Sequence, residues 1–579
     1  MTSRLKTYRW EFRAHQTEHA QALAERYRLH SIVASVLANR GYGGTAPEEL
    51  AGFMQPRLSS LHDPFLMKDM EVAVQRTATA IRNGETIVVF GDYDADGITS
   101  TAVMTRGLRF AGAACSFYVP HRIDEGYGLN TPALEKLAHQ GTNLVITVDN
   151  GISGHDAIAR ANELGMDVIV TDHHQPGDTL PPALAVVNPN RRDCTYPCPH
   201  LTGVGVAFKF IHALLKEMGR APDESINFLR SLLDLVAVGT VADYAPLVGE
   251  NRVLVSHGLQ RIANSSNVGM SALRDALKLP LPITAMHIAF QIAPRLNAAG
   301  RTSHAEIGVD LLMTDDLDEA SSIVRELEEC NKSRKQMETR ITGEALKFVK
   351  ERINLDTDHV IVVDGHNWHL GVIGIVAARV MDELGRPVIA LSHMSNCVKG
   401  SARSVGAFNL YEALTHCESY LTAYGGHPNA AGLTLPAEKV PAFREAINEY
   451  ARTNYDLSGL CTPLVIDAEV KCGQLDMEMM SHLSYLEPFG QSNPQPVLAS
   501  RGVRLNAQPR VVGDRHLKLQ FASEDTIIEG IGFNLGYMAH ELNGAVGAPM
   551  DVVFSPSVNT YWSVPRVEME VKDLRLQVS

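Results

Sequence analysis

The chain has 579 residues, 45% of them hydrophobic and 20% charged, and a formal net charge of −14. That length exceeds what one hydrophobic core usually serves and predicts roughly three to four domains. The composition is that of an ordinary globular protein, there is no apolar run of the about 18 residues a membrane span needs, and the acidic balance argues against diffuse nucleic-acid binding while allowing a local basic groove. The N-terminus lacks the apolar core of an export signal. Eight scattered cysteines suit reduced thiols in the cytoplasm better than a disulfide frame.

Residues 1 to about 70 read as short helices, around His19–Tyr27 and His30–Ala38, then a loop with Gly41, Gly43, Gly44 and Pro47. They are expected to pack as an extension onto the domain next in sequence. From about 71 to 190, apolar runs (Ile87–Phe90, Leu144–Val148, Val168–Val170, Leu184–Val187 and a weaker Ser116–Val119) alternate with helical patterns. Short β-rich runs separated by amphipathic helices indicate βαβ units and a mostly parallel, two-sided sheet.

Three of these strands are followed at once by acids. Behind Phe90 come Asp92, Asp94 and Asp96 at alternate positions; behind Val148 comes Asp149-Asn150-Gly151; behind Thr171 comes Asp172-His173-His174. In a parallel sheet such strand ends share one edge, where open α/β sheets place their ligands. Carboxylates gathered there repel one another unless a multivalent cation neutralises them. One Asp-rich turn would be a solvated surface feature; three in register are not. Cys194, Cys198 and His200 also come under consideration for zinc, but they supply three ligands where a structural site takes four.

The run from Leu232 to Val241 reads as a buried helix that ends by presenting Asp243. A carboxylate at such a position needs a partner. A metal is favoured, with a salt bridge to Arg252 as the alternative. Carboxylates plus imidazole, without thiolate, favour Mn²⁺ or Mg²⁺. Five or six ligands are too many for one ion that must keep water. Two ions sharing a carboxylate fit better, an arrangement suited to activating water against a phosphate ester.

The strings DYDADG, VDNG, TDHH and VADYAP resemble, in order and spacing, the four motifs of the DHH phosphoesterases. HRIDEGYGLN, VNPN, LTGVGVAFK and APRLNAAGR extend the resemblance to the RecJ single-strand exonucleases over nearly the whole chain. It implies that Asp94 and Asp96 each hold one metal, that Asp149 bridges both, and that His173 and Asp243 complete the second site. Asp92 and His174 would lie beside the metals, supporting ligands or touching the scissile phosphate, and Asp172 would orient its neighbours. The implied activity is a single-stranded-DNA-specific 5′→3′ exonuclease that hydrolyses phosphodiester bonds by a two-metal mechanism in recombination and repair. A monomer in the cytoplasm, with single-strand-binding protein as a partner, belongs to the same expectation. A relative acting on short RNA or cyclic dinucleotides and a non-catalytic replication scaffold are the rivals; the extra terminal segments oppose the first, the complete set of motif acids the second.

The segment Pro294–Arg301 offers Arg295, Asn297 and Arg301 among small residues, either as guanidinium forks for phosphate or as a helix cap with surface arginines. Residues 315 to about 353 form a long polar helical pattern of the kind that bridges domains. From 354 to 455 a second α/β unit has strands His359–Val363 and Pro387–Leu391 around a helix Gly371–Leu384. Two loops there, Lys399–Ser404 and Tyr424–Leu433, offer Ser401, Arg403, Gly426 and His427. Together they look like the DHH-associated domain, whose positions would hold the nucleic-acid strand. The last stretch alternates at period two (His516–Phe521, Thr526–Phe533) and fits an oligonucleotide-binding barrel, with Phe521, Phe533, Tyr561 and Trp562 as its aromatics. The expected α/β architecture is therefore an N-terminal helical extension (1–70), a DHH domain with a mostly parallel sheet (71–315), a connecting helix (316–353), a DHH-associated domain (354–455) and an OB-type β-barrel (456–579).

Overall fold

The computed structural model describes residues 8–122, 125–126, 128–302, 304–395, 397–455, 462–513, 515–559 and 564–577. The chain divides into two compact units. Among the described residues no single helix is long and apolar enough to cross a membrane.

The first unit spans Ala51–Lys335 together with the short segment Glu487–Pro494. Its centre is a five-stranded sheet of β1 (Ile87–Phe90), β2 (Cys115–Tyr118), β3 (Leu144–Val148), β4 (Asp167–Thr171) and β5 (Ala185–Val187). The strands are all parallel, in the order β2-β1-β3-β4-β5. β1 and β3 are buried at every position, so they read as unbroken apolar runs rather than alternating ones. Successive side chains nevertheless serve two cores. Ile87, Val89, Leu144, Ile146 and Val148 face one with helices α1 (Ala95–Ala111), α2 (Gly203–Glu217) and α3 (Leu233–Ala242); Val88, Phe90, Val145, Val168 and Val170 face the other with Thr131–His139 and His155–Glu163. Each such side chain contributes about 1.5–3 kcal/mol by leaving water. The strand order reverses at β1, and the crevice between the carboxyl ends of β1 and β3 is where such sheets bind ligands.

Helix α4 (Ala293–Thr302) precedes α5 (Leu317–Arg352), which runs for 36 residues. Val324 and Leu327 of α5 lie in the first core, Ile341, Ala345 and Val349 in a core of the other unit. That division accounts for its polar, sparsely apolar sequence.

The second unit comprises the described parts of Met1–Leu50, Gln336–Leu486 and Gln495–Ser579. Strands β6 (Ile361–His366), β7 (Val388–His393), β8 (Val398–Arg403), β9 (Ala423–His427) and β10 (Ala430–Leu435) form a mixed sheet in the order β9-β10-β8-β7-β6, with α6 (Leu370–Leu384) against it. Two segments expected to be loops are therefore strands. Gly400 and Ser401 pair with Leu433 and Gly432 on one side and with Leu391 and Ala390 on the other; neighbours on both sides override weak intrinsic propensity.

The C-terminal sheet has seven strands: β11 (Ala468–Glu469), β12 (Leu498–Leu505), β13 (Arg510–Val512), β14 (His516–Ser523), β15 (Thr526–Gly532), β16 (Pro549–Asn559) and β17 (Arg566–Leu576). Their order is β11-β12-β16-β17-β15-β14-β13. A further contact of two residue pairs, Arg504–Ala522 and Leu505–Phe521, links β12 to β14. The sheet curls back on itself through this short link rather than through a full ladder. Phe521 is core, whereas Phe533 is half exposed beside His516; Tyr561 and Trp562 lie outside the described residues.

The N-terminal segment does not pack simply onto the domain next in sequence. A strand Tyr8–Phe12 pairs in parallel with Thr462–Ile466. Asp467 then accepts from Arg40 Nε (2.9 Å) and Nη2 (2.8 Å), Arg13 Nε (3.0 Å) and the Val497 N–H (3.0 Å). Removing one member of a buried pair leaves the other charge uncompensated, at about 3–5 kcal/mol. Asp467→Ala is accordingly expected to lower unfolding stability by about that amount and to speed proteolytic release of residues 8–50, read by urea titration and limited digestion.

Candidate metal centre

The sheet's carboxyl edge gathers the expected acids. Asp94 caps α1, its Oδ1 accepting from the Asp96 and Gly97 N–H groups at 2.9 and 3.0 Å. Buried Asp96 takes one backbone N–H on each oxygen, from Gly203 (2.8 Å) and Val204 (3.0 Å). The positive end of α2 thus points at this carboxylate. Asp149 follows β3 in the left-handed region at φ +63°, a conformation that costs of order 1–3 kcal/mol outside glycine and clusters at functional sites. Asp243 closes α3.

The turn after β4 completes the set. His173 Nε2 lies 3.0 Å from Asp149 Oδ1, 3.8 Å from Asp243 Oδ2 and 3.9 Å from Asp96 Oδ2. One imidazole nitrogen is ringed by carboxylates from three separate segments. Ligand atoms within 4.8 Å of one another form the clusters Asp92–Asp94–Asp149, Asp96–His173–Asp243 and Asp149–His173–His174. Asp149 and His173 each occur in two of them, Asp149 in keeping with a shared ligand, and Asp92 falls in one with Asp94 and Asp149. Cys194, Cys198 and His200 enter no such cluster among the described residues.

Asp92 Oδ1 and His173 Nε2 are buried and no hydrogen bond reaches either. Arg252, the alternative partner for Asp243, turns elsewhere: it donates to the carbonyls of Phe53 (2.7 Å), Glu487 (2.6 Å) and Pro488 (3.4 Å) and lies 3.8 Å over the Phe53 ring. Oxygen and imidazole donors without sulfur, left unsatisfied by the protein, fit divalent Mn²⁺ or Mg²⁺.

The titration of these groups follows from the crowding. Burial and the charge of Asp243 push Asp96 up to about 7, and burial with Asp94 pushes Asp243 up to about 7. Burial, then neighbouring carboxylates, raises Asp92 and Asp149 as well. Burial holds His173 below its ordinary value, keeping a nitrogen lone pair available. At His174 burial opposes the charge, but the hydrogen bond to Asp172 (2.7 Å) prevails and lifts it to about 9. Asp172, though buried, stays below the usual carboxylate range because of that partner.

Asparagine amides pin the loops. Asn150 Nδ2 joins the carbonyls of Phe90 (3.2 Å) and Val148 (2.9 Å), and Asn251 Nδ2 holds that of Pro246 (3.1 Å) beyond Asp243. Two glycines permit the close approaches: a Cβ on Gly203 would stand 2.5 Å from the Asp149 carboxylate, and one on Gly239 2.6 Å from that of Asp96. Sequence reasoning assigned these four no role, since polar and small loop residues look like ordinary turn formers.

Of the three candidates on α4, Asn297 Oδ1 accepts from the Ala95 N–H (2.9 Å) and Arg295 pairs with Glu328 and the Gln291 carbonyl. Arg301 lies close enough to Tyr93 to oppose the burial and carboxylates that lift its phenol to about 12. Arg122, which the sequence did not single out, does the same from 4.7 Å over that ring. In the second unit Ser401 lines a cavity of about 430 Å³ with Lys399 and Tyr424. Arg403 donates to Ser401 Oγ (3.2 Å). Gly426 adopts φ +138°, where a Cβ would meet the Ala430 carbonyl at 2.4 Å, and His427 is exposed.

Three family models match: the DHH family, N-terminal domain, over residues 86–240, the DHHA1 domain over 357–453 and the RecJ OB domain over 466–573. The chain is 37% identical over 98% of its length to the single-stranded-DNA-specific exonuclease RecJ of Bacillus subtilis, covering 70% of that protein. To that of Escherichia coli it is 38% identical over 81%, covering 84%. The chain belongs to the RecJ family. The crystal structure of RecJ from Thermus thermophilus in complex with Mn²⁺ matches all of this chain and 81% of its own at 31% identity and a TM-score of 0.83. The same RecJ with Mg²⁺ gives 0.78 at 30% identity, with 80% of that chain covered. The DHH match stops three residues short of Asp243, so the last acid of the cluster lies outside it.

Two outcomes test the centre. A carboxyl group raised on folding stabilises the folded state fully below about pH 4 and loses that contribution as pH passes about 7. His173, depressed, works the opposite way, against the four carboxyls and against His174, whose raised value acts in their direction. Metal-free protein should therefore unfold at lower temperature at pH 8 than at pH 5, with Mn²⁺ restoring more at the higher pH; melting curves in EDTA that rise over this range would contradict the assignment. Gly203→Ala should weaken Mn²⁺ binding by about 10-fold or more, measured by calorimetry.

Proposed function

We propose that the chain is a single-stranded-DNA-specific exonuclease that hydrolyses phosphodiester bonds from the 5′ end, with two Mn²⁺ or Mg²⁺ ions, in recombination and repair. The observation that carries this reading is the position of His173 Nε2 within 4 Å of Asp96, Asp149 and Asp243. Asp92 and Asp94 would hold one ion, Asp96, His173 and Asp243 the other, and Asp149 both. Bound there, the ions supply Lewis acidity toward phosphate oxygens and acidify water.

The chain's own groups do the rest. Asp172 keeps a proton on His174 Nδ1, and the resulting cationic ring offers Nε2–H to a phosphate oxygen near neutral pH. Arg122 and Arg301 supply guanidinium forks beside Tyr93. Ser401, Arg403, Gly426 and His427 serve the strand from residues 354–455, and the half-exposed Phe533 offers a base-stacking face from residues 456–579. Residues 71–315 are the catalytic domain in this reading and 316–353 its connecting helix. The seven described cysteines are all free, which supports a cytoplasmic location; a monomer that meets a single-strand-binding protein completes the proposal.

Digestion of end-labelled single-stranded and duplex DNA with Mn²⁺ tests it. Loss of 5′ label from the single strand alone is expected. Asp149→Ala should lower turnover by at least about 1,000-fold, the scale of an electrostatic transition-state contribution, with strand binding retained; wild-type turnover in that variant would reject the assignment.

A further inference from the structure

The segment Asn188–Asn190 follows β5 and takes no part in the chemistry above. Its two asparagines reach the turn that carries the histidines. Asn188 Nδ2 donates to the His174 carbonyl at 2.9 Å, and Asn190 Nδ2 donates to the His173 carbonyl at 2.5 Å. The Asn190 N–H in turn donates to Asn188 Oδ1 at 2.8 Å. Asn188 is fully buried.

The local geometry explains why side chains do this. β4 and β5 pair in register up to Thr171–Val187, and the Asp172 N–H still reaches the Val187 carbonyl at 3.1 Å. Beyond that point β4 enters the histidine turn, while β5 meets Pro189, which has no N–H to give. The backbone ladder stops, and the two carboxamides continue it. On the other side of the turn Asp172 Oδ1 accepts both the His173 N–H (2.7 Å) and the His174 N–H (3.1 Å). All four backbone polar groups of His173-His174 are thus accounted for by three side chains. A dipeptide fixed on both sides cannot rotate its peptide planes, and that fixes where His173 Nε2 stands among the carboxylates.

We infer that Asn188 and Asn190 are positioning residues that hold His173 and His174 against the metals. The inference rests on the metal-centre reading. It assigns the asparagines no contact with substrate; they act through the turn alone.

The experiment measures Mn²⁺ binding to the full chain by calorimetry, alongside kcat and KM on single-stranded DNA and unfolding in EDTA. Asn190→Ala is expected to weaken Mn²⁺ binding by about 10- to 100-fold, as loss of a ligand-orienting partner does, and to lower kcat with KM little changed. Asn190→Ser, which keeps a shorter donor, should fall between it and wild type, and gives the comparison against wild type if the alanine variant does not fold. His173→Ala is the control. If it loses Mn²⁺ affinity while Asn190→Ala binds like wild type, or is only less stable in EDTA, the positioning role is overturned and the metal centre stands. If wild type itself binds no Mn²⁺, the metal reading fails and the inference with it.

Discussion

The structure depends on a repulsion. Five aspartates and a neutral imidazole occupy one rim of a parallel sheet, most of them out of contact with water. Two unit charges 4 Å apart at an effective dielectric constant of 20 interact by about 4 kcal/mol, and several such pairs exist here at once. The fold cannot relax by letting the acids separate, because each sits at the end of a buried strand or helix. Protons or cations must therefore enter, and the raised pKa values of Asp96 and Asp243 express the first option, the donor set of the site the second.

What keeps the acids together is short-range and neutral. The amino end of α2 is aimed at Asp96, glycines at 203 and 239 remove the β-carbons that would block contact, and asparagine side chains close hydrogen bonds where strand ladders end. None of these groups changes charge when protons or ions exchange. The rim can therefore pass between protonated and cation-bound conditions without rebuilding its backbone, as a preorganised site requires.

Much of this was legible in the residues. Buried parallel strands appear as apolar runs, and an acid directly behind each of three such runs is a pattern that surface turns do not produce. The gathering of Asp92, Asp94, Asp96, Asp149 and His173 follows from that pattern, and Asp243 joins them from the end of a buried helix. What could not be read depended on pairing between distant segments. The strand Tyr8–Phe12 exists because residues 462–466 lie beside it, and Val398–Arg403 is a strand because of neighbours on both sides. Nothing local reveals that Arg295 pairs with Glu328 or that Asn297 receives the Ala95 N–H.

The eight residues Glu487–Pro494 belong with Ala51–Lys335, although the chain on both sides of them belongs to the other unit. The Gln491 carbonyl receives the Leu247 N–H at 2.8 Å, four residues past Asp243, and Arg252 grasps the carbonyls of Glu487 and Pro488. During synthesis on the ribosome these contacts form only after more than two hundred further residues have been translated. The loop bearing the last acid thus receives its latch from a segment far behind it in the chain, so the final packing around Asp243 is set later in synthesis than the sheet rim it joins.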